Sequence, residues 1–141
     1  MPEITTNLFV YGTLMFGGSN YRQIESFVVD YKPGTIDGVL VDLGAYPALI
    51  EGEGIVKGIV LEIDADAIEI TDRIEGFQPD RSHSLYLRQQ IIVQLETKEK
   101  RTAWTYLFAN PDVIANSSRL VVDEIDGTPI FAWRNDERQP T

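Results

Sequence analysis

The stretch LYLRQQIIVQLE, residues 85–96, alternates apolar and polar side chains over most of its length. Leu85, Leu87, Ile91, Val93 and Leu95 fall on one side, and Tyr86, Arg88, Gln90, Gln94 and Glu96 on the other. Successive side chains of a strand point to opposite faces, so this period of two demands a strand with one covered face. The polar turn TKEK follows, and RTAWTYLF (101–108) supplies an antiparallel partner. A chain built around such a hairpin must close a mostly antiparallel sheet over a core.

The flanking sequence extends that sheet. NLFVY, residues 7–11, does not alternate and reads as a strand buried on both faces, stopped at Gly12. Ser19 or Asn20 is placed to cap a short helix running to about Val28. Pro33 and Gly34 are expected to break the chain before a strand at 35–42. Two strands, 48–51 and 55–64, flank EGEG and suggest a hairpin. Asp66 with Glu69 three residues on resembles a capping box. The helix it opens carries Ile70 and Ile74 on one face and ends at Gly76. A second hairpin is expected from 120–125 and 130–133 across Asp126-Gly127. The expected fold is α+β: one domain over 1–133, a mostly antiparallel sheet, curled or closed into a small barrel, with a few short helices. Residues 134–141 read as a flexible polar tail.

Composition removes whole classes of function. The chain has 141 residues and is 43% hydrophobic, enough to bury a core without staples. There is no cysteine, which excludes disulfides, thiolate metal sites and a cysteine nucleophile. His83 is the one histidine, so a His-rich metal site is excluded. A net charge of -10 opposes nucleic acid and anionic membrane surfaces as partners. No apolar run approaches a membrane span and no signal-like leader is visible, so a soluble cytoplasmic protein is expected. No GxxxxGK[ST] phosphate loop or GxSxG elbow occurs, and Ser82-His83-Ser84 reads as a polar loop.

Carboxylates remain. Most of the 22 Asp and Glu are ordinary surface charge. Glu75 differs in sitting at a helix C-terminus just before Gly76-Phe77, where the helix dipole and any aromatic enclosure disfavour its ionised form. A carboxyl group poised nearer neutrality suits proton transfer. Position alone favours the plainer alternative, an exposed and idle glutamate. The loop VYGTL offers a second feature. A buried strand ending at Gly12 exposes the next N–H groups, which can form an anion-binding nest. An ordinary strand-to-loop turn is the commoner outcome of such a pattern.

Taken together, LFVYGTL, LGAYPALIEGEGIVKGIVLEID, TDRIEGF, LYLRQQIIV and RTAWTYLF resemble the gamma-glutamylcyclotransferase-like family. That family includes gamma-glutamylamine cyclotransferases and the plant avirulence-induced proteins. The motifs cover about residues 7–108 in the family's order. Thr71 stands where the family commonly has an apolar residue, and the stretch after Asn110 matches poorly.

The resemblance implies a barrel-like fold with a pocket at one end, a glutamyl-binding loop of Tyr11, Gly12, Thr13 and Leu14, and Glu75 as proton acceptor. Tyr46 and Tyr86 are further candidates for the pocket wall, since YPALI and LYLR flank the presumed site. Arg88 is expected in a surface or structural salt bridge, and Trp104 and Trp133 in the core. The implied reaction is attack of a gamma-glutamyl α-amine on its own gamma-carbonyl, releasing 5-oxoproline and an amine. It needs no cofactor or metal, and its partner is a small gamma-glutamyl molecule. The alternative is a non-catalytic small-ligand or partner-binding domain on the same fold. Gln78–Ser84 and the tail after Pro111 are the expected readers of the leaving amine.

Overall fold

The computed structural model describes residues 4–15, 17–76, 86–114 and 116–133. Phe77, the 78–84 loop with His83, Leu85 and the tail 134–141 lie outside the described residues.

Among the described residues, seven strands and one α-helix appear in the order β1 (Thr5–Val10), β2 (Val28–Asp42), β3 (Pro47–Asp64), α1 (Ile68–Ile74), β4 (Tyr86–Leu95), β5 (Lys100–Phe108), β6 (Val121–Ile125) and β7 (Thr128–Phe131). The sheet order is β1-β5-β4-β2-β3-β7-β6, and β1 also pairs with β3. That extra pairing closes β1, β5, β4, β2 and β3 into a five-stranded barrel. Within the ring only β1 and β5 run parallel, at Leu8 beside Trp104. The β6–β7 hairpin hangs from β3 through the parallel β3–β7 contact. This is the expected α+β barrel with few short helices.

The strands close because their apolar faces have nowhere else to go. Leu8, Phe9 and Val10 are all buried, as their non-alternating run requires. Leu40, Leu49, Val56, Leu61, Ile63 and Val93 complete the interior. Each such side chain contributes about 1.5–3 kcal/mol when fully removed from water. Further along β4 the alternation holds, with Val93 and Leu95 buried and Gln94 exposed. Tyr86 departs from it: it lies on the polar side of the pattern but is buried, because that end of the strand faces a cavity.

Several local expectations need correction. Pro33-Gly34 does not break the chain, since β2 starts at Val28 and runs through them. β4 joins β2 only at Gly34 and Thr35, so Pro33 lies just outside that short pairing, where a missing N–H does little harm. EGEG is no hairpin turn either, because β3 is one strand of 18 residues. The pairing steps from Asp37–Ile55 to Val39–Ile50, so residues 51–54 bulge opposite Gly38. Glycine is required there. Gly54 has φ +150°, and a Cβ on it would lie 2.3 Å from the Phe131 ring. The helix expected over residues 19–28 is two 3₁₀ turns, Tyr21–Gln23 and Glu25–Phe27, and Asn20 makes no side-chain cap bond. The capping box also shifts. Asp64 accepts from the Asp66 N–H at 3.0 Å, which caps a 3₁₀ turn leading into α1. The second hairpin forms as expected, with Asp126 and Gly127 at positive φ in its turn.

Candidate active site

β1 carries the chain to one end of the barrel and stops at Val10. Tyr11 is buried there, and its hydroxyl donates to the Tyr106 carbonyl at 2.6 Å. Gly12 lies against Pro47, and a Cβ on it would be 2.7 Å from the Pro47 ring. The loop then folds back on itself. Gly12 O accepts from Met15 N–H at 2.9 Å, and Asn20 grips Thr13 twice. Its backbone N–H donates to Thr13 O at 3.0 Å and its Nδ2 to Thr13 Oγ1 at 2.9 Å. Among the described residues, the N–H groups of Thr13 and Leu14 donate to no acceptor.

Glu75 arrives from the other side as the C-cap of α1, its N–H bonded to Thr71 O at 3.0 Å. Gly76, at φ +68°, turns the chain away in the left-handed conformation that closes helices. The helix end is anchored from β4 and β5. The Tyr106 hydroxyl donates to Asp72 Oδ1 at 2.7 Å and shares a hydrogen bond with Thr71 Oγ1 at 2.6 Å. Arg88 Nε lies 3.2 Å from the same Asp72 oxygen, and its guanidinium stacks 4.6 Å from the Trp104 ring. Arg88 is thus in a structural salt bridge. Thr71, unusual for its position, is fully buried and earns its hydroxyl through this network.

Tyr11, Gly12, Thr13, Leu14, Tyr46, Glu75 and Tyr86 all border one cavity of about 220 Å³. Tyr86 is held by its hydroxyl on Pro47 O at 2.7 Å and by an edge-on contact with Phe108, ring centroids 5.4 Å apart. Tyr46 packs tilted against it at 6.4 Å. The cavity also takes in Asn20, Pro47, Ile74 and Tyr106, which the sequence reading did not select for the site. Tyr106 had a signal: hairpin register sets it opposite Arg88. Asn20 did not, because its grip on Thr13 depends on a loop fold that no local pattern encodes.

The electrostatics centre on Glu75. As a residue it is half-buried, since solvent enters through the cavity mouth. Its carboxyl group is enclosed enough that burial raises its pKa from 4.5 to about 7. Burial also pushes the Tyr11, Tyr86 and Tyr106 hydroxyls well above their ordinary range, and the nearby Glu75 charge pushes the same way. The three phenols therefore remain neutral donors at any physiological pH. The arrangement sets one carboxyl group near neutrality across a small cavity from free backbone donors. Such a site can move a proton and hold an anion.

Comparison with known proteins fits this geometry. Residues 8–126 match the family model described as gamma-glutamyl cyclotransferase, AIG2-like. A relative from Niallia circulans, named gamma-L-glutamyl-butirosin B gamma-glutamyl cyclotransferase, is 31% identical over 110 residues, covering 77% of this chain and 70% of its own. The crystal structure of a mouse AIG2-like protein superposes with a TM-score of 0.60 at 24% identity, over 74% of this chain and 78% of that one. YkqA from Bacillus subtilis superposes with a TM-score of 0.63 at 24% identity, over 82% of this chain but only 38% of the longer YkqA. The family match runs on to residue 126, past the motifs that end at residue 108, and the chain belongs to the gamma-glutamyl cyclotransferase, AIG2-like family.

Proposed function

We propose that this protein releases 5-oxoproline from a gamma-glutamyl amine or peptide, with Glu75 as the proton shuttle. The observation that carries the reading is that Glu75 and the 11–14 loop border the same cavity. The glutamyl half of the substrate lies in that cavity, its anionic oxygens on the Thr13 and Leu14 N–H groups. Ionised Glu75 takes a proton from the α-ammonium. Glu75 passes that proton to solvent; the freed amine attacks the gamma-carbonyl carbon, forming the ring C–N bond, and the again-ionised Glu75 takes the excess proton from the ring nitrogen. The tetrahedral oxyanion then collapses, the bond to the leaving nitrogen breaks, and protonated Glu75 returns a proton to that nitrogen. The products are 5-oxoproline and an amine, with no water or electrons consumed.

A pKa of about 7 fits this double duty, because both protonation states are populated at neutral pH. The nucleophile is already tethered to its target. Holding the chain bent therefore supplies much of the acceleration, since oriented intramolecular attack reaches effective molarities on the order of 10⁵–10⁸ M. Tyr46 and Tyr86 wall the cavity beside Pro47 and confine the bent chain. The test is a panel of gamma-glutamyl amines and peptides assayed for 5-oxoproline. Release from at least one is expected. Binding with no release from any would replace the cyclotransferase with a ligand-binding domain.

A further inference from the structure

A second groove, of about 320 Å³, adjoins the cavity and is lined by Asn20, Gln23, Ile70, Arg73 and Ile74. Asn20 and Ile74 border both spaces, so the two are neighbours through a shared wall. The reading above puts the glutamyl half beside Glu75. The leaving half extends from the scissile carbonyl, and Ile74, next to Glu75 in the chain, lines both the cavity and the groove.

The groove's chemistry is lopsided. The Asn20 side chain is committed at both ends, donating to Thr13 Oγ1 at 2.9 Å and accepting from Gln23 Nε2 at 3.0 Å. What remains for a ligand is the second N–H and the carbonyl oxygen of the Gln23 amide, and the guanidinium of Arg73, with five N–H donors and no acceptor. The ion pairs among the described residues are Lys32–Asp30, Arg88–Asp72 and Arg101–Glu99, none of which engages Arg73. In a chain of net charge -10, an exposed guanidinium without a carboxylate partner among the described residues leaves a positive spot beside the cavity. Ile70 and Ile74 add an apolar strip of the kind an aliphatic skeleton covers.

We infer that this groove receives the leaving half of the substrate, and that Arg73, with Gln23, selects a leaving amine that carries a carboxylate. The leaving group is then an amino acid or short peptide with an aliphatic side chain. A cationic amine lacking an acid group meets Arg73 as a like charge and is disfavoured. This inference rests on the cyclotransferase reading and moves the recognition of the leaving group onto Gln23 of the first 3₁₀ turn and Arg73 of α1.

The test compares gamma-glutamyl-alanine with gamma-glutamyl-alaninamide, which differ only in carboxylate against carboxamide. Both are assayed for 5-oxoproline release with the parent protein, Arg73→Gln and Arg73→Lys. The parent favours the carboxylate by about fivefold in kcat/KM, the scale of a partly exposed charge pair, and the preference lies mainly in KM. Arg73→Gln brings the ratio to about one, and Arg73→Lys keeps most of it. An equal ratio in parent and Arg73→Gln overturns the inference and leaves Arg73 a helix-end charge. If the parent releases 5-oxoproline from neither compound, the gamma-glutamyl panel above decides the cyclotransferase reading. Calorimetric affinities of the same two compounds for the parent and Arg73→Gln then decide the groove by the same ratio.

Discussion

Replacing Glu75 with Gln should make the protein more stable, and by an amount that depends on pH. The Glu75 carboxyl has a pKa of about 7 when folded, against 4.5 as its ordinary value. At ~1.4 kcal/mol per pH unit, that difference corresponds to about 3 kcal/mol. The folded pKa is the higher one, so it is the ionised form that opposes folding. The opposition is absent below pH 4.5, grows through the window up to 7, and is complete above it. Gln has nearly the shape of the protonated acid and never ionises. The Glu75→Gln chain and its parent should therefore melt together near pH 4.5. By pH 8 the variant should gain about 3 kcal/mol, roughly 10 °C for a domain of this size. The assay is a pair of thermal melts across pH 4.5–8, read as the difference between the two proteins so that other titrating groups cancel. A difference in Tm that stays flat across the series would refute the enclosed carboxyl and, with it, the poised proton shuttle.

Other substitutions probe what surrounds Glu75. Tyr106→Phe removes the hydroxyl that ties Thr71 and Asp72 together, and urea unfolding should show a loss of about 1–3 kcal/mol, with 5-oxoproline release falling as well. An unchanged unfolding midpoint would mean that the anchor carries nothing. Gly12→Ala drives a methyl to 2.7 Å from Pro47 and must displace the loop, so kcat/KM should drop at least about tenfold, the scale of a reacting group misplaced by a fraction of an ångström. Full activity there would show that the loop's position is not critical. Gly54→Ala places a methyl 2.3 Å from the Phe131 ring at an unfavourable φ, and a loss of about 2–4 kcal/mol in the same unfolding assay is expected.

How far the sequence disclosed this molecule depends on the range of the interaction concerned. The β4–β5 hairpin was legible because alternation and the TKEK turn are local. The β6–β7 hairpin was legible through Asp126-Gly127. A barrel was expected from the strand pattern and the family motifs, but the pairings that close it were not legible, because β1 meets β3 and β5 across long stretches of chain and no local pattern records that meeting. EGEG misled for a physical reason. Glycines that mark a turn also mark a bulge, and only the packing of Gly54 under Phe131 distinguishes the two. At the site, Glu75 and the Tyr11–Leu14 loop were suggested by local features and singled out by the family motif. The Tyr106–Asp72–Arg88 anchor was visible only as Arg88 in search of a carboxylate. Asn20 has the local pattern of a helix cap, whereas its side chain and backbone hold Thr13.

The central claim is that Glu75 moves the protons of a cyclisation. It is tested most directly by 5-oxoproline release from one accepted gamma-glutamyl substrate, measured under saturating conditions for the parent and Glu75→Gln. The Gln variant keeps the shape of the cavity and is the more stable protein at neutral pH, so lost turnover cannot be put down to unfolding. The rate should fall by roughly 10²–10⁴-fold, the usual contribution of general acid–base catalysis. A Glu75→Gln protein that releases 5-oxoproline at the parent's rate would contradict the account.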